Sequence, residues 1–200
     1  MSRTWTAYPI LLLLGFLIVL PGRGFQTPRK SDASQSDAAG VAARNYFGDT
    51  VLVDQNGTGR KFYTDLLRGK IVIINSFFTT CPDVCPMMLH KLEEIQSALG
   101  DRVGKDIFIV SISVDPAVDT PARIREFVKP FHPRAGWSFL TGDRENVEQV
   151  LRKLGMSVED KQDHSTLLLV GNEPTGYWKK LLSLASANDL VRSIEDVAKN

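Results

Sequence analysis

Cysteine is scarce in this chain: two residues in 200, Cys81 and Cys85. That is too few for a disulfide scaffold, so the pair needs its own explanation. Histidine is nearly as rare, with only His90, His132 and His164. Net charge is almost absent, since 24 Lys and Arg stand against 23 Asp and Glu for a formal +1. Such a balance gives no electrostatic case for nucleic acid or for an anionic membrane surface. Internal repeats are lacking. Long apolar runs are lacking too: the best candidate, Ile10 to Leu20 broken only by Gly15, is short of the roughly 20 residues a membrane span needs.

What is present suits one domain with its own core and a short extra segment. Residues 1–26 read as a targeting segment, with Arg3 before the apolar run and Pro21-Gly-Arg-Gly24 after it. A secretory signal peptide fits the length. An uncleaved signal anchor through residues 10–20 is the rival, because Gly22-Arg-Gly24 is a weak cleavage signal. No cysteine follows the run, which excludes a lipoprotein anchor. Either reading exports the remainder of the chain. Residues 27–44 are small, polar and unpatterned, as in a flexible linker. The folded domain is expected over 45–200.

The pattern from there predicts alternating elements. Thr50 to Val53 reads as a short strand, Asp54 to Gly59 as a turn and Phe62 to Leu67 as a brief helical turn. Four β-branched residues, Ile71 to Ile74, open a strand to Phe78 that is buried on both faces, as in a central parallel strand. Met88, Leu92, Ile95 and Leu99 recur at helical spacing up to Gly100. Ile107 to Val114 is the next buried strand. Asp119-Thr-Pro121 opens a helix that presents Ile124, Phe127, Val128 and Phe131. Trp137 to Leu140 reads as a short strand, and Thr141-Gly-Asp143 opens a helix with Val147, Val150, Leu151 and Leu154 inward. Thr166 to Val170 and Tyr177 to Leu182 form a hairpin around a turn at Gly171 to Gly176. A capped helix from Ser186 closes the chain and buries Leu190, Ile194 and Val197. The order β-α-β-α-(β)-α-β-β-α implies an α/β fold, a thioredoxin-like central mixed sheet flanked by helices. In such sheets chemistry sits at the carboxyl ends of the parallel strands, where Cys81, Cys85 and Asp115 fall. With the Thr166 strand antiparallel beside the Ile71 strand, Asp163-His164-Ser165 reaches the same edge.

Cys81, Cys85 and His164 are therefore a candidate set of two thiolates and one imidazole. Thiolates suit Cu(I), and imidazole suits both copper states. Cysteines at i and i+4 on one helical turn point the same way and can share an ion. Structural zinc wants four closed ligands, and no fourth Cys or His is placed for it. A structural disulfide and a redox pair remain open for the same two cysteines. His90 and His132 read as surface residues, and Met88 as core rather than as a thioether ligand. Asp83 is expected to be exposed. Asp115 and Asp163 are candidates for supporting the site or for plain turn and surface positions.

These residues resemble the Sco/SenC family of copper-binding, thioredoxin-fold proteins. The resemblance rests on Cys81-Pro-Asp-Val-Cys-Pro86, Ser113-Val-Asp-Pro116, Asp119-Thr-Pro121, Trp137 to Gly142 and the isolated His164, in family order across roughly Phe47 to Ala198. It implies one copper ion per chain, Cu(I) or Cu(II), held by Cys81, Cys85 and His164. It implies a periplasmic protein, free or membrane-anchored. The partner it implies is the copper-receiving subunit of cytochrome c oxidase or another periplasmic copper protein. The implied role is a metallochaperone for the binuclear copper site of that oxidase. The alternative is a thiol–disulfide oxidoreductase that keeps partner cysteines reduced, with Cys81 and Cys85 as its catalytic pair. Two departures stand out. Ser76-Phe-Phe-Thr-Thr80 replaces the glycine and tyrosine often found before the first cysteine, and Val170-Gly-Asn-Glu-Pro replaces an aspartate-containing turn. A thiol peroxidase is disfavoured, since Phe78 and Pro82 occupy the positions where its threonine would stand.

Overall fold

The computed structural model describes residues 40–161 and 166–200. A helix over 40–47 (α1) leads into β1 (Val51–Asp54) and β2 (Gly59–Lys61). A π-helical turn (Phe62–Leu67) precedes β3 (Ile71–Phe77) and α2 (Val84–Leu99). Then come β4 (Ile107–Ser113), α3 (Pro121–Val128), β5 (Trp137–Thr141) and α4 (Arg144–Leu154). The hairpin β6 (Leu167–Asn172) and β7 (Tyr177–Leu182) and then α5 (Ala187–Lys199) close the chain.

Among the described residues the strands form one mixed sheet in the order β2-β1-β5-β4-β3-β6-β7. β3 pairs in parallel with β4 from Ile71↔Ile107 to Phe77↔Ser113, and β4 pairs in parallel with β5. β6 runs antiparallel beside β3, with Ile74 opposite Leu169. The β-branched runs of β3 and β4 are buried because helices cover both faces. On one face α2, α3 and α5 pack on Ile73, Phe77, Ile109 and Phe139. On the other, α4, the π-helical turn and Phe47 pack on Val72, Ile74, Val110 and Leu140. The helix starts agree with the sequence signals. Thr120 accepts from the Arg123 amide with Pro121 at the first position, Asp143 caps α4, and Ser186 accepts from the Asp189 amide.

Three details differ from the sequence expectation. The helix at 40–47 crosses the boundary placed at Asn45. It packs through Ala43 and Phe47 alone, too few apolar positions to register as a period, and the Gly40 carbonyl lies 3.0 Å from Tyr63 Oη. The Asp54–Gly59 turn belongs to a hairpin, because the buried Asp54 carboxylate accepts from the Asn56 and Thr58 amides. β6 runs on through Gly171 and Asn172, so the turn tightens to Glu173–Thr175. Asn172 is held there by a bond to the Val197 carbonyl. Glu173 is buried yet satisfied, accepting from Tyr63 Oη at 2.8 Å and from the Gly69 amide at 2.6 Å. Burial and this carboxylate push the Tyr63 hydroxyl up to about 12.

Gly171 is required by packing rather than by φ. A Cβ there would lie 2.2 Å from the Trp178 ring of the facing strand. Gly171→Ala is expected to cost about 2 kcal/mol through overpacking. Urea unfolding followed by circular dichroism checks this, and a midpoint equal to wild type would contradict it.

Candidate metal centre

β3 delivers the chain to the carboxyl edge of the sheet at Phe77, and Phe78 behind it is fully buried. The next residues turn rather than continue, and the Cys81 amide bonds back to the Phe78 carbonyl at 3.2 Å. Cys81 precedes Pro82, which disfavours helical backbone at the residue before it. The helix accordingly starts at Val84, so only Cys85 lies on it; Cys81 sits in the approach. This corrects the expectation of two cysteines on one helical turn. Pro86 falls within the first turn of α2, where an amide would have no partner inside the helix.

The two sulfurs still meet. The Cys85 amide donates to Cys81 Sγ at 3.3 Å, so one of the orphan amides of the helix start points at a sulfur. The cysteines are not disulfide-bonded, and both are buried, Cys81 at 8% exposure and Cys85 at 1%. Burial pushes the Cys85 thiol well above the ordinary thiol range, with hydrogen bonding to Cys81 adding to it. Cys81 is the less deeply buried of the two.

A buried polar cluster, which the sequence reading missed as a unit, holds the loop before Cys81. Asp119 is fully buried. Its carboxylate accepts from the Thr79 amide at 3.2 Å, from Thr79 Oγ1 at 2.5 Å and from Ser113 Oγ at 2.6 Å. Ser113 Oγ in turn accepts from the Asp115 amide, and Arg123 Nε donates to Thr79 Oγ1. The end of β4 and the start of α3 are thereby fastened to the approach of Cys81. The sequence reading gives Asp119-Thr120 a capping role only. The available signal is an aspartate directly ahead of a residue that caps by itself.

A second relay lies under α2. Trp137 Nε1 donates to Ser111 Oγ at 2.9 Å, and Ser111 Oγ donates to Asn75 Oδ1 at 2.6 Å. Asn75 Nδ2 contacts Met88 Sδ at 3.6 Å. The visible signal is Asn75 itself, a polar side chain inside an apolar strand. Met88 is core, as expected, while Met87 is exposed.

The remaining candidates separate clearly. Asp115 pairs with Lys161 at 2.6 Å, and the Lys161 ammonium lies 5.4 Å from the centre of the Phe78 ring. Asp83 is exposed. His90 and His132 are both turned to Glu93, at 3.4 and 2.8 Å, and His132 adopts a left-handed φ of 44° at the opposite edge of the sheet. They draw the Glu93 carboxyl below its usual range. Asp163 and His164 lie outside the described residues, as does the apolar run Ile10 to Leu20. Their neighbours are placed: Lys161 stands at the cysteine edge, and Leu167 begins β6 beside β3. Among the described residues no three His, Cys, Asp or Glu side chains converge on a metal position. Nor is any helix among them long and apolar enough to cross a membrane. The cysteine pair offers two soft donors.

Comparison with known proteins identifies the family. The SCO1/SenC family profile matches residues 41–199. An SCO2-like protein of Rickettsia prowazekii is 33% identical over 192 residues, covering 91% of this chain and 90% of that one. An SCO2-like protein of Rickettsia conorii is 41% identical over 106 residues, 53% of this chain and 49% of that one. The chain thus spans about half the length of that relative in the matched region. The crystal structure of yeast Sco1 with copper bound superposes with a TM-score of 0.65 at 29% identity, over 76% of this chain and 88% of that one. BsSco is described as carrying a disulfide switch and as a member of the Sco family of cytochrome c oxidase assembly proteins. It shares the fold at a TM-score of 0.62 and 21% identity, over 74% of this chain and 91% of that one. With the family profile spanning every described strand, and the paired sulfurs at the strand-to-helix junction, this chain belongs to the SCO1/SenC family.

Proposed function

We propose that the protein binds one copper ion through Cys81, Cys85 and His164 and passes it on during cytochrome c oxidase assembly. The observation that carries this reading is the 3.3 Å bond from the Cys85 amide to Cys81 Sγ, which with the side-chain hydrogen bond between the two cysteines brings their sulfurs together at the sheet edge. His164 is proposed as the third ligand because the chain on both sides of it, Lys161 and Leu167, is anchored at that edge. Two thiolates and an imidazole suit copper in either common state and leave an open side. An incoming thiolate on a partner enters that side, and the ion moves by stepwise ligand exchange. Both thiol protons leave on binding, and oxidation of the pair to a disulfide removes both ligands. Copper in yeast Sco1 supports the reading by kinship. Residues 1–26 are proposed to direct export, which places the site in the periplasm, free or anchored through 10–20.

A second reading has its own support, the difference in burial between the cysteines. The outer Cys81 thiolate would attack a partner disulfide, forming a mixed disulfide and releasing one partner thiolate. Cys85 would then attack Cys81 Sγ and release the second, leaving the partner reduced and this pair oxidised. The copper and thiol roles share the same two atoms and exclude each other at any instant.

Cys81→Ser, Cys85→Ser and His164→Ala are each expected to weaken copper retention by about 100-fold, worth ~2.7 kcal/mol. Competition with a chromophoric copper chelator on the reduced protein measures this. Wild-type retention in the His164 variant would remove the three-ligand reading and favour the thiol one. Asp119→Ala is expected to cost about 2 kcal/mol, because it strands Thr79 and Ser113 donors in the interior. It should also speed copper loss to the chelator while both thiols still titrate. Unchanged loss would show that the Asp119 cluster serves folding alone.

A further inference from the structure

A formal charge of +1 gives no electrostatic argument for a membrane surface, but the fold does not spread that charge evenly. Two hollows flank α1. The first, of about 640 Å³, has Tyr46, Phe47 and Trp178 as its aromatic lining and Arg152, Lys153 and Lys180 as its cations, with no carboxylate in its wall. The second, of about 490 Å³, is lined by Arg44 and Arg68, and its one carboxylate is the buried Glu173 already held by Tyr63 and Gly69. At the margins Asp49 pairs with Arg44 and Glu148 with Arg152. Five cations therefore face three carboxylates here, an excess larger than that of the whole chain.

The same face exposes apolar groups. Val41 is 60% and Tyr46 58% exposed, both on α1. The Tyr46 hydroxyl is fixed to the Lys153 carbonyl at 2.8 Å, and Lys153 Nζ to the Phe47 carbonyl at 2.9 Å, so the aromatic and cationic groups are held together. Tyrosine and tryptophan beside lysine and arginine is the composition that settles at a bilayer interface. The position of the face is also informative. The wall at Leu154 and Gly155 is the end of α4, and Gly176 precedes β7, both toward the amino edge of the parallel strands. The cysteines occupy the carboxyl edge. In sequence, 19 residues separate the apolar run ending at Leu20 from Gly40, a reach of at most about 65 Å.

We propose that the α1 face docks on an anionic phospholipid surface, holding the cysteine edge away from the bilayer. This goes beyond the copper reading and does not depend on it. Charge complementarity and the apolar run upstream of α1 commit the occupant to a bilayer rather than to a second copy of the chain. Val41 and Tyr46 enter the headgroup region beside the half-buried Trp178 ring, while Arg44, Arg68, Arg152 and Lys180 meet phosphates.

The test uses the full chain reconstituted in phosphatidylcholine vesicles, with or without added phosphatidylglycerol. Amide hydrogen exchange is measured over 40–47 and 176–180. Exchange in both segments is expected to slow about tenfold on the anionic vesicles only. High salt should reverse it, as should Arg152→Glu combined with Lys180→Glu. Copper uptake by that variant should equal wild type, which separates this outcome from any failure of the metal reading. Equal exchange on both vesicle types would overturn the proposal. So would slow exchange in detergent without lipid: dependence on protein concentration there would identify a second copy, and independence would identify residues 1–39 as the occupant.

Discussion

β3 lies between a parallel neighbour, β4, and an antiparallel one, β6, and the candidate centre depends on that pairing. Parallel pairing carries the ends of β3 and β4 to one edge, so Cys81 and Asp119 leave the sheet side by side. Antiparallel pairing brings the beginning of β6 to the same edge. Were β6 parallel to β3, its entry would lie at the far edge with His132. Seven paired positions between β3 and β4, all buried or half-buried, make a slip costly, because a shift of one residue turns apolar side chains to the wrong face.

On this frame the protein places buried polar groups where packing alone would leave the loop free. Asp119, Thr79 and Ser113 satisfy one another below Cys81, and Asn75, Ser111 and Trp137 do so beneath α2. Each is costly if broken and modest in net stabilisation when whole, so the gain is in geometry more than in stability. That suits the proposed exchange site. Ligands that let an ion go quickly must be held in position by their surroundings rather than by a closed shell of metal bonds. Lys161, held by Asp115 and the Phe78 ring, is fixed at the same edge.

Much of this is legible in the sequence. The β-branched runs, the Thr120-Pro121 and Asp143 helix starts and the hairpin after Thr166 all appear where their patterns put them, since each is specified locally. The thioredoxin-like arrangement comes from their order. What escapes is non-local. Asp119 looks like part of a cap because its partners, Thr79 and Ser113, are distant or unremarkable in the chain. Gly171 looks like a turn residue because its constraint, the Trp178 ring, comes from the opposite strand. Spacing alone puts Cys81 on the helix, because it does not weigh the effect of Pro82 on the residue before it. The cationic face around α1 is invisible for the same reason: summed charge carries no information about which residues folding brings together.

The proposed centre is a copper ion held by two sulfurs and one imidazole. X-ray absorption on the reduced, copper-loaded full-length protein tests it most directly. The expected result is one copper per chain with two sulfur scatterers at about 2.2–2.3 Å and one nitrogen of imidazole type, the nitrogen being lost in His164→Ala. A stable copper centre without imidazole in the wild type would contradict the ligand set. Failure of the reduced protein to retain copper, with Cys81 and Cys85 exchanging readily with a disulfide buffer, would contradict the metallochaperone and leave the thiol reductase.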